Sequence, residues 1–299
     1  MTLTELRYIV TLSQERHFGR AAEKCFVSQP TLSVAVKKLE GELDIAIFER
    51  SKSTVSPTPL GEKVIQQAEK ILAETRTLKE IADAGKDPLN SPLKVGAIFT
   101  IGPYLFPHLV PQTYQQAPNM SLYIEESYTA VLRRQLREAE LDAIIVALPF
   151  NEPDVLTRPL YDEPFVVVMP KNHELAKHTH IQAEMLPDHD LLLLGEGHCF
   201  RDQVLELCPA LSLKKPGRVG SVTQGSSLET LKYMVATGLG ITVLPTSAVG
   251  NLDSDLITTR PFANPAPYRT VALAWRASFP RGQAIDLLLD TAGKCLVKP

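Results

Sequence analysis

Residues 27–43 have the sequence VSQPTLSVAVKKLEGEL. Ser28 belongs to the residue types that cap helix N-termini, and Pro30 is tolerated in a first turn, where its missing N–H costs little. The sequence therefore predicts a helix that starts at Ser28 and extends to about residue 43. Its apolar residues recur at helical spacing and should form one buried face: Leu32, Val36, Leu39 and Leu43.

The opposite face of this helix presents hydrogen-bonding side chains: Gln29, Thr31, Ser33 and Lys37. Two helices are predicted before it, over residues 2–13 with Thr2 as the cap and over residues 18–24. A strand, a turn and a second strand are predicted over residues 48–58. This order is typical of a winged helix-turn-helix, whose recognition helix enters the major groove of DNA. On periodicity alone, a three-helix unit with no nucleic-acid function fits equally well.

A longer helix is predicted over residues 59–84, where Gly61 is the only glycine. Its apolar residues repeat every seven positions, at Val64, Ile71 and Leu78. A narrow heptad stripe needs a surface to pack against, so we expect this helix to pair with the same helix of a second copy. Packing on the chain's own residues 92–299, the expected sensor domain, is the alternative. Helix breakers in residues 85–92 predict a hinge.

Beyond residue 92, strand-like and helix-like segments alternate, which predicts parallel sheets covered by helices. The predicted strands are residues 93–97, 121–125, 143–147, 165–169, 191–194, 241–244 and 271–275. We expect two α/β lobes with a cleft between them. Ligands of such sheets bind at the carboxyl ends of strands, where Thr100 and Thr129 lie.

The bulk composition fits this organisation. A chain of 299 residues with 44% hydrophobic and 22% charged residues is typical of a soluble protein of two or three compact units. The expected parts are a reading head over 1–58, a linker helix and hinge over 59–91, and a sensor domain over 92–299. Within the sensor, lobe I covers 92–162 and 268–299, and lobe II covers 163–267.

The composition and the termini also limit the setting of the protein. No apolar run approaches the roughly 18 residues of a membrane span, and the N-terminus lacks the pattern of a secretory signal, so we expect a cytoplasmic protein with no membrane partner. The net charge of −3 gives no global basic field, so any DNA contact must be local. Four cysteines are too few for a secreted disulfide scaffold.

Two of those cysteines lie in residues 195–209, GEGHCFRDQVLELCP. The apolar residues between them recur at helical spacing and predict a short helix that Cys208 would end. Nine helical rises of about 1.5 Å separate the two Cα atoms by roughly 13 Å, whereas a disulfide needs less than about 7 Å. The helix and a Cys199–Cys208 disulfide therefore exclude each other, and oxidation would repack this lobe.

Three other interpretations of this segment stay open. The two cysteines could be small hydrophobic residues in a packed lobe. They could hold a metal with nearby histidines, but no paired ligand spacing is present, so we expect no metal. A thiol peroxidase could use the same chemistry, but the chain carries no other enzyme motif, and a peroxidase would not need a DNA-reading head, so we expect neither catalysis nor a cofactor.

A specific pattern runs through the reading head: Phe18, Ala21, Ala22, residues 27–33, Lys38, Leu39, Glu40, Leu43, Phe48, Glu49, Arg50, Thr58 and Gly61. It resembles the signature of LysR-type transcriptional regulators. The resemblance implies DNA contacts from the recognition helix and the wing: Ser28, Gln29, Pro30, Thr31, Ser33, Lys37, Arg50 and Lys52. It also implies double-stranded operator DNA and RNA polymerase as partners, a homodimer that pairs into a homotetramer, and a two-lobed α/β sensor domain like that of periplasmic binding proteins.

Residues 197–202, GHCFRD, with Cys208 and Pro209, resemble the redox centre of the peroxide-sensing members of that family. This resemblance implies hydrogen peroxide as the signal, antioxidant genes as targets, a peroxidatic Cys199 and a resolving Cys208. The implied peroxide site consists of Thr100, Thr129, His198, Asp202 and Arg269. A LysR-type regulator that binds a small metabolite, with structural cysteines, is the second hypothesis.

Overall fold

The computed structural model of the chain describes residues 1–50, 55–84, 89–209, 222–250 and 255–295. Its contacts divide the chain into an N-terminal unit, which includes Met1–Asp83, and a C-terminal unit, which includes Ala84–Leu136 and Glu140–Pro299. Among the described residues, no helix combines the length and the apolar character needed to cross a bilayer.

The N-terminal unit begins with helices α1 (Leu3–Glu15), α2 (Phe18–Lys24) and α3 (Gln29–Leu43). Thr2 caps α1 in a capping box with Glu5, and Ser28 caps α3 by accepting a hydrogen bond from the Thr31 amide. These caps confirm the predicted helix starts. Apolar side chains of all three helices form one core.

The predicted buried face of α3 is confirmed for Leu32, Val36 and Leu39, but it was wrong for Leu43, which is exposed. Leu43 lies in the last turn of α3, and the left-handed Asp44 redirects the chain immediately after it. The helix therefore ends before a fourth turn of the stripe can be covered.

The wing is an antiparallel pair of strands, β1 (Phe48–Arg50) and β2 (Val55–Pro57), in which Arg50 lies opposite Val55. The backbone of Arg50 is thus part of β1. Lys52, predicted to contact DNA, lies outside the described residues.

Helix α4 (Pro59–Ala84) has the predicted extent, but its apolar stripe is packed in its first half and exposed at Leu78. Val64 and Ile71 pack against the core of the reading head, and Ala68 is buried there. Leu78 is 68% exposed. The first half of the stripe therefore packs on the reading head of its own chain, a surface that neither the pairing prediction nor the sensor-domain alternative named.

The first part of the C-terminal unit is a parallel three-stranded arrangement in which β3 (Leu93–Ile98) lies between β4 (Leu122–Ser127) and β5 (Ala143–Ala147). Helices α5 (Gly102–Gln116) and α6 (Thr129–Arg137) connect these strands. The second part repeats the pattern with β7 (Leu191–Leu194) between β8 (Val222–Gly225) and β9 (Ile241–Pro245), together with α7 (Cys199–Leu207) and α8 (Leu228–Ala236).

Two long antiparallel strands join the parts. Strand β6 (Val155–Pro170) pairs with β11 (Tyr268–Arg276) along its first half and with β9 and β10 (Ile257–Pro261) along its second. The predicted parallel pairing is confirmed for β3 with β4 and β5 and for β7 with β8 and β9, and the antiparallel strands make the whole sheet mixed. Two apolar cores result, one on each part, and α9 (Gly282–Lys294) packs into the first. We call the two parts lobe I and lobe II.

Candidate functional site

Cys199 and Cys208 lie at the two ends of α7. Cys199 is the first helical residue, His198 is the N-cap and Cys208 is the C-cap, and both cysteines are free thiols. The helical rise places their Cα atoms roughly 13 Å apart, about twice the reach of a disulfide. The prediction of a helix between two separated thiols is confirmed.

Cys199 faces a small cavity at the carboxyl ends of β3 and β4. The lining residues come from three segments: Ile98, Phe99 and Thr100; Ser127, Tyr128 and Thr129; and Gly197, His198 and Cys199. The space open to the centre of a water-sized molecule is about 10 Å³, close to what a single water requires. The fold thus brings together four of the predicted site residues, namely Thr100, Thr129, His198 and Cys199.

The two threonines offer different hydrogen-bonding capacity. Thr100 already has a hydrogen-bond donor, because its hydroxyl and its carbonyl oxygen each accept a hydrogen bond of 2.8 Å from the Arg269 guanidinium. Thr129 is the first residue of α6, and its buried hydroxyl has no hydrogen-bond partner among the described residues. A buried hydroxyl without a partner is costly, so Thr129 is available to a guest molecule in the cavity.

Arg269 is 2% exposed and acts on the cavity through Thr100. Its Nε donates to Glu163 Oε2 at 2.8 Å, and its guanidinium lies 5.3 Å from the centre of the Phe200 ring. A buried cation needs such a counter-charge. Arg269 was predicted to lie in the peroxide site, but it is not among the residues that line the cavity, because this ion pair holds its head group behind Thr100.

His198 packs beside two aromatic rings. Its ring centre is 4.8 Å from that of Tyr128 and 5.9 Å from that of Phe99. The rings of Phe99 and Tyr128 meet edge to face, with their centres 5.2 Å apart. Burial lowers the pKa of His198 below its usual 6.5, because the charged ring would lose solvation. His198 is therefore neutral at pH 7 and faces the cavity as a hydrogen-bonding ring with no charge.

Cys208 lies in the core of lobe II, remote from this cavity. Its Sγ donates a hydrogen bond to the Ala183 carbonyl oxygen at 3.2 Å. Burial, with a smaller contribution from the Glu184 charge, raises the pKa of the thiol to about 11. In this conformation Cys208 is a protonated, inaccessible thiol.

Asp202 does not join the cavity. It lies on the solvent side of α7, 3.9 Å from the Arg201 guanidinium, because Phe200 and Val204 occupy the face that packs into lobe II. The structure therefore does not bring Asp202 together with the other predicted site residues, and its role in the peroxide site stays a prediction.

The N-terminal half of α3 forms a separate exposed surface. Gln29, Pro30, Thr31 and Lys37 are exposed, Ser33 is half-buried, and the Ser28 hydroxyl lies 2.7 Å from that of Thr31. Polar side chains at an exposed helix N-terminus can approach base edges and phosphates.

Comparison with protein families identifies both units. A model of the LysR substrate binding domain matches residues 86–294, and a model described as bacterial regulatory helix-turn-helix protein, lysR family, matches residues 3–62. The chain belongs to the LysR family of transcriptional regulators. The resemblance seen in the sequence is confirmed.

Within the LysR family, the similar proteins include several called OxyR. The DNA-binding transcriptional dual regulator OxyR of Escherichia coli K12 is 37% identical, over 97% of this chain and 94% of that protein. A full-length OxyR of Pseudomonas aeruginosa, with a cysteine-to-aspartate substitution, is 58% identical and has a TM-score of 0.74, with 100% and 99% of the two chains covered. A hydrogen-peroxide-bound cysteine-to-serine variant of Corynebacterium glutamicum OxyR is 33% identical, with a TM-score of 0.65 over 98% and 92% of the chains.

Sequence reasoning missed several residues of this LysR sensor site. Phe99 and Tyr128 each precede a predicted threonine, so their place in the chain could have indicated them. Glu163 gave no local signal, because it meets Arg269 only through the register of β6 and β11. Among the described residues, no group of His, Cys, Asp or Glu could hold a metal ion.

Proposed function

We propose that this chain is a DNA-binding transcription regulator of antioxidant genes that senses hydrogen peroxide through oxidation of Cys199 and a Cys199–Cys208 disulfide. The observation that carries the proposal is the position of Cys199, which borders a cavity of molecular size next to an unpartnered Thr129 hydroxyl and is separated from Cys208 by one helix. The peroxide-bound relative supports the same signal.

The chemistry requires two steps. The Cys199 thiolate attacks one oxygen of hydrogen peroxide, an S–O bond forms, the O–O bond breaks, and hydroxide leaves and takes up a proton. Thr129 and the neutral His198 hold the peroxide and hydrogen-bond the departing oxygen. The deprotonated Cys208 sulfur then attacks the Cys199 sulfenic acid, the S–O bond breaks, and a second hydroxide leaves, so the protein loses two electrons in total.

Helix α7 converts this chemistry into a conformational signal. The second step cannot occur while α7 is intact, because the helix holds the sulfurs too far apart. Closing the disulfide therefore withdraws Cys208 and Phe200 from the core of lobe II, where both are buried. The repacked lobe then biases the arrangement of subunits on DNA.

The alternative, a metabolite-sensing regulator with structural cysteines, fits the cavity poorly. Small-molecule sites usually have several hundred Å³, and the space beside Cys199 is far smaller. The other alternative is a thiol peroxidase, which needs a resolving thiol that reacts at every turnover. Cys208 is buried with a raised pKa, which suits a sensor that reacts once per reduction and not an enzyme.

The partners follow from the two units. We propose double-stranded DNA as the ligand of the reading head, through the residues of α3 and the wing: Ser28, Gln29, Pro30, Thr31, Ser33, Lys37, Arg50 and Lys52. Self-association through α4 would give a homodimer and, by pairing of dimers, a homotetramer. RNA polymerase is the proposed partner in activation, and the cytoplasm is the proposed location because the operator DNA lies there. The domain limits remain 1–58, 59–91 and 92–299.

The decisive experiment compares Cys199→Ser with wild type on an operator selected from random DNA by the full chain. Peroxide should change the affinity or the footprint of the wild type and leave the variant unchanged, while the reduced proteins bind DNA equally. Cys295→Ser is the matched control, because Cys295 is another free thiol of the sensor domain that does not line the cavity. A full peroxide response in Cys199→Ser would favour the metabolite hypothesis.

A further inference from the structure

Phe99 and Tyr128 form the boundary between the Cys199 cavity and solvent. Both rings line the cavity, yet Phe99 is 37% and Tyr128 is 40% exposed. The inner lining, including Thr100 and Ile98, is buried. Of the side chains that line the cavity, these two are the exposed ones, so they border it on the solvent side. We call this pair of residues the aromatic cap.

The rings of the aromatic cap pack against each other and against neighbouring residues. The two rings meet edge to face with 5.2 Å between centres, and both contact His198. Gly197 adds a fixed backbone wall, because a Cβ at this position would lie 3.2 Å from Tyr128 Cδ1. Its φ of +92° is a conformation that glycine adopts without strain. Each ring therefore packs against the other ring, and Tyr128 also packs against the Gly197 backbone.

The space behind the cap admits few oxidants. It is close to the size of one water, and hydrogen peroxide is larger than water by a single oxygen atom. An alkyl hydroperoxide carries the same O–O group but adds a bulky, apolar substituent on one oxygen. That substituent has no room beside Thr129 and His198 unless the cap is displaced.

We infer that Phe99 and Tyr128 are specificity-determining residues that admit hydrogen peroxide to Cys199 and exclude alkyl hydroperoxides by size. The inference rests on the proposed function of Cys199. The reaction with an alkyl hydroperoxide would be chemically equivalent: the sulfur attacks the terminal oxygen, the O–O bond breaks, and the alkoxide leaves and is protonated to the alcohol. The cap thus acts on access and not on the oxidation itself.

The test measures two rate constants for loss of the free Cys199 thiol in the full chain, one with hydrogen peroxide and one with tert-butyl hydroperoxide. Alkylation at timed intervals followed by mass spectrometry of the Cys199 peptide gives both. The rate constant with hydrogen peroxide divided by that with tert-butyl hydroperoxide should be about tenfold smaller in Tyr128→Ala and in Phe99→Ala than in wild type. A factor of this size is usual for size discrimination in a pocket. Tyr123→Ala is the matched control, because Tyr123 is an exposed tyrosine of β4, the strand that ends directly before Tyr128, and it lies outside the cavity. Its ratio should equal that of wild type.

Different failures have different meanings. A wild-type Cys199 that does not react with hydrogen peroxide would overturn the proposed function and the cap with it. A reactive Cys199 whose ratio is unchanged in both cap variants would overturn the cap alone. If either alanine variant loses its circular dichroism signal, Tyr128→Leu and Phe99→Leu replace them, since leucine fills part of the space without a ring, and an unchanged ratio in these variants overturns the inference equally.

Discussion

At the scale of single residues, the two cysteines of the proposed switch differ because their surroundings differ. Cys199 is half-buried at the edge of a small cavity that also contains hydroxyl groups, whereas Cys208 is enclosed by the apolar core of lobe II. Burial disfavours the charged form of a thiol, so Cys208 remains protonated across the physiological pH range. In the proposed switch, Cys208 therefore stays unreactive until its surroundings change, so Cys199 is the thiol that is oxidised first.

This difference predicts a pH dependence of stability. The pKa of Cys208 rises from 9.0 to about 11 on folding, so above pH 9 the unfolded chain releases the thiol proton before the folded chain does. Stability contributed by the neutral thiol is complete below pH 9 and declines between about pH 9 and 11. Under reducing conditions, the unfolding free energy of wild type should therefore fall more steeply over this range than that of Cys208→Ala. Equal slopes in denaturant titrations would contradict the assigned burial effect.

At the scale of elements, α7 is the part most easily predicted from sequence, because a compact run of apolar residues at helical spacing encodes it. Strand β6 shows the opposite case. Its residues 155–164 contain Pro159 and Pro164, which weaken a strand pattern, so only residues 165–169 gave a clear strand signal. The pairing of Glu163 with Arg269 depends on the register of β6 and β11, which no local pattern determines.

The stability of α7 should control the disulfide step. Phe200 anchors this helix, with its ring 5.1 Å from that of Phe165 and beneath the Arg269 guanidinium. Phe200→Ala removes that anchor, and such truncations of buried aromatics cost about 3–5 kcal/mol. The Cys199 sulfenic acid should therefore convert to the Cys199–Cys208 disulfide at least about tenfold faster, since 1.4 kcal/mol already gives that factor. Rapid quench and peptide mass spectrometry measure the rate of this conversion.

Glu206→Ala is the control for this experiment, because Glu206 lies on the exposed side of the same helix. Its disulfide should close at the wild-type rate. If Phe200→Ala also closes at that rate, opening of α7 does not limit the switch, and the incompatibility between helix and disulfide has no kinetic role.

At the scale of the whole molecule, the sequence predicted the winged helix-turn-helix, the long α4 and the α/β sensor, because each has a repeating pattern of its own. It could not predict how a pattern is shared between surfaces. The heptad stripe of α4 is one regular repeat, yet Val64 and Ile71 pack on the reading head while Leu78 is exposed. Burial of a stripe depends on which neighbours the fold supplies, and a single helix does not encode them.

The exposed end of α4 predicts where a second copy pairs. Leu78 and, one turn away, Ile81 are both exposed, although apolar side chains at seam positions are normally covered by a partner helix. Leu78→Asp should weaken self-association about tenfold or more, because each pairing would place two carboxylates at an apolar contact. Sedimentation equilibrium of reduced protein over a range of concentrations measures the effect.

Gln66→Asp adds the same charge at an exposed position on another face of α4 and should associate like wild type. If Leu78→Asp associates as tightly as Gln66→Asp, the second half of the stripe does not face a second copy, and the proposed self-association must use a different surface.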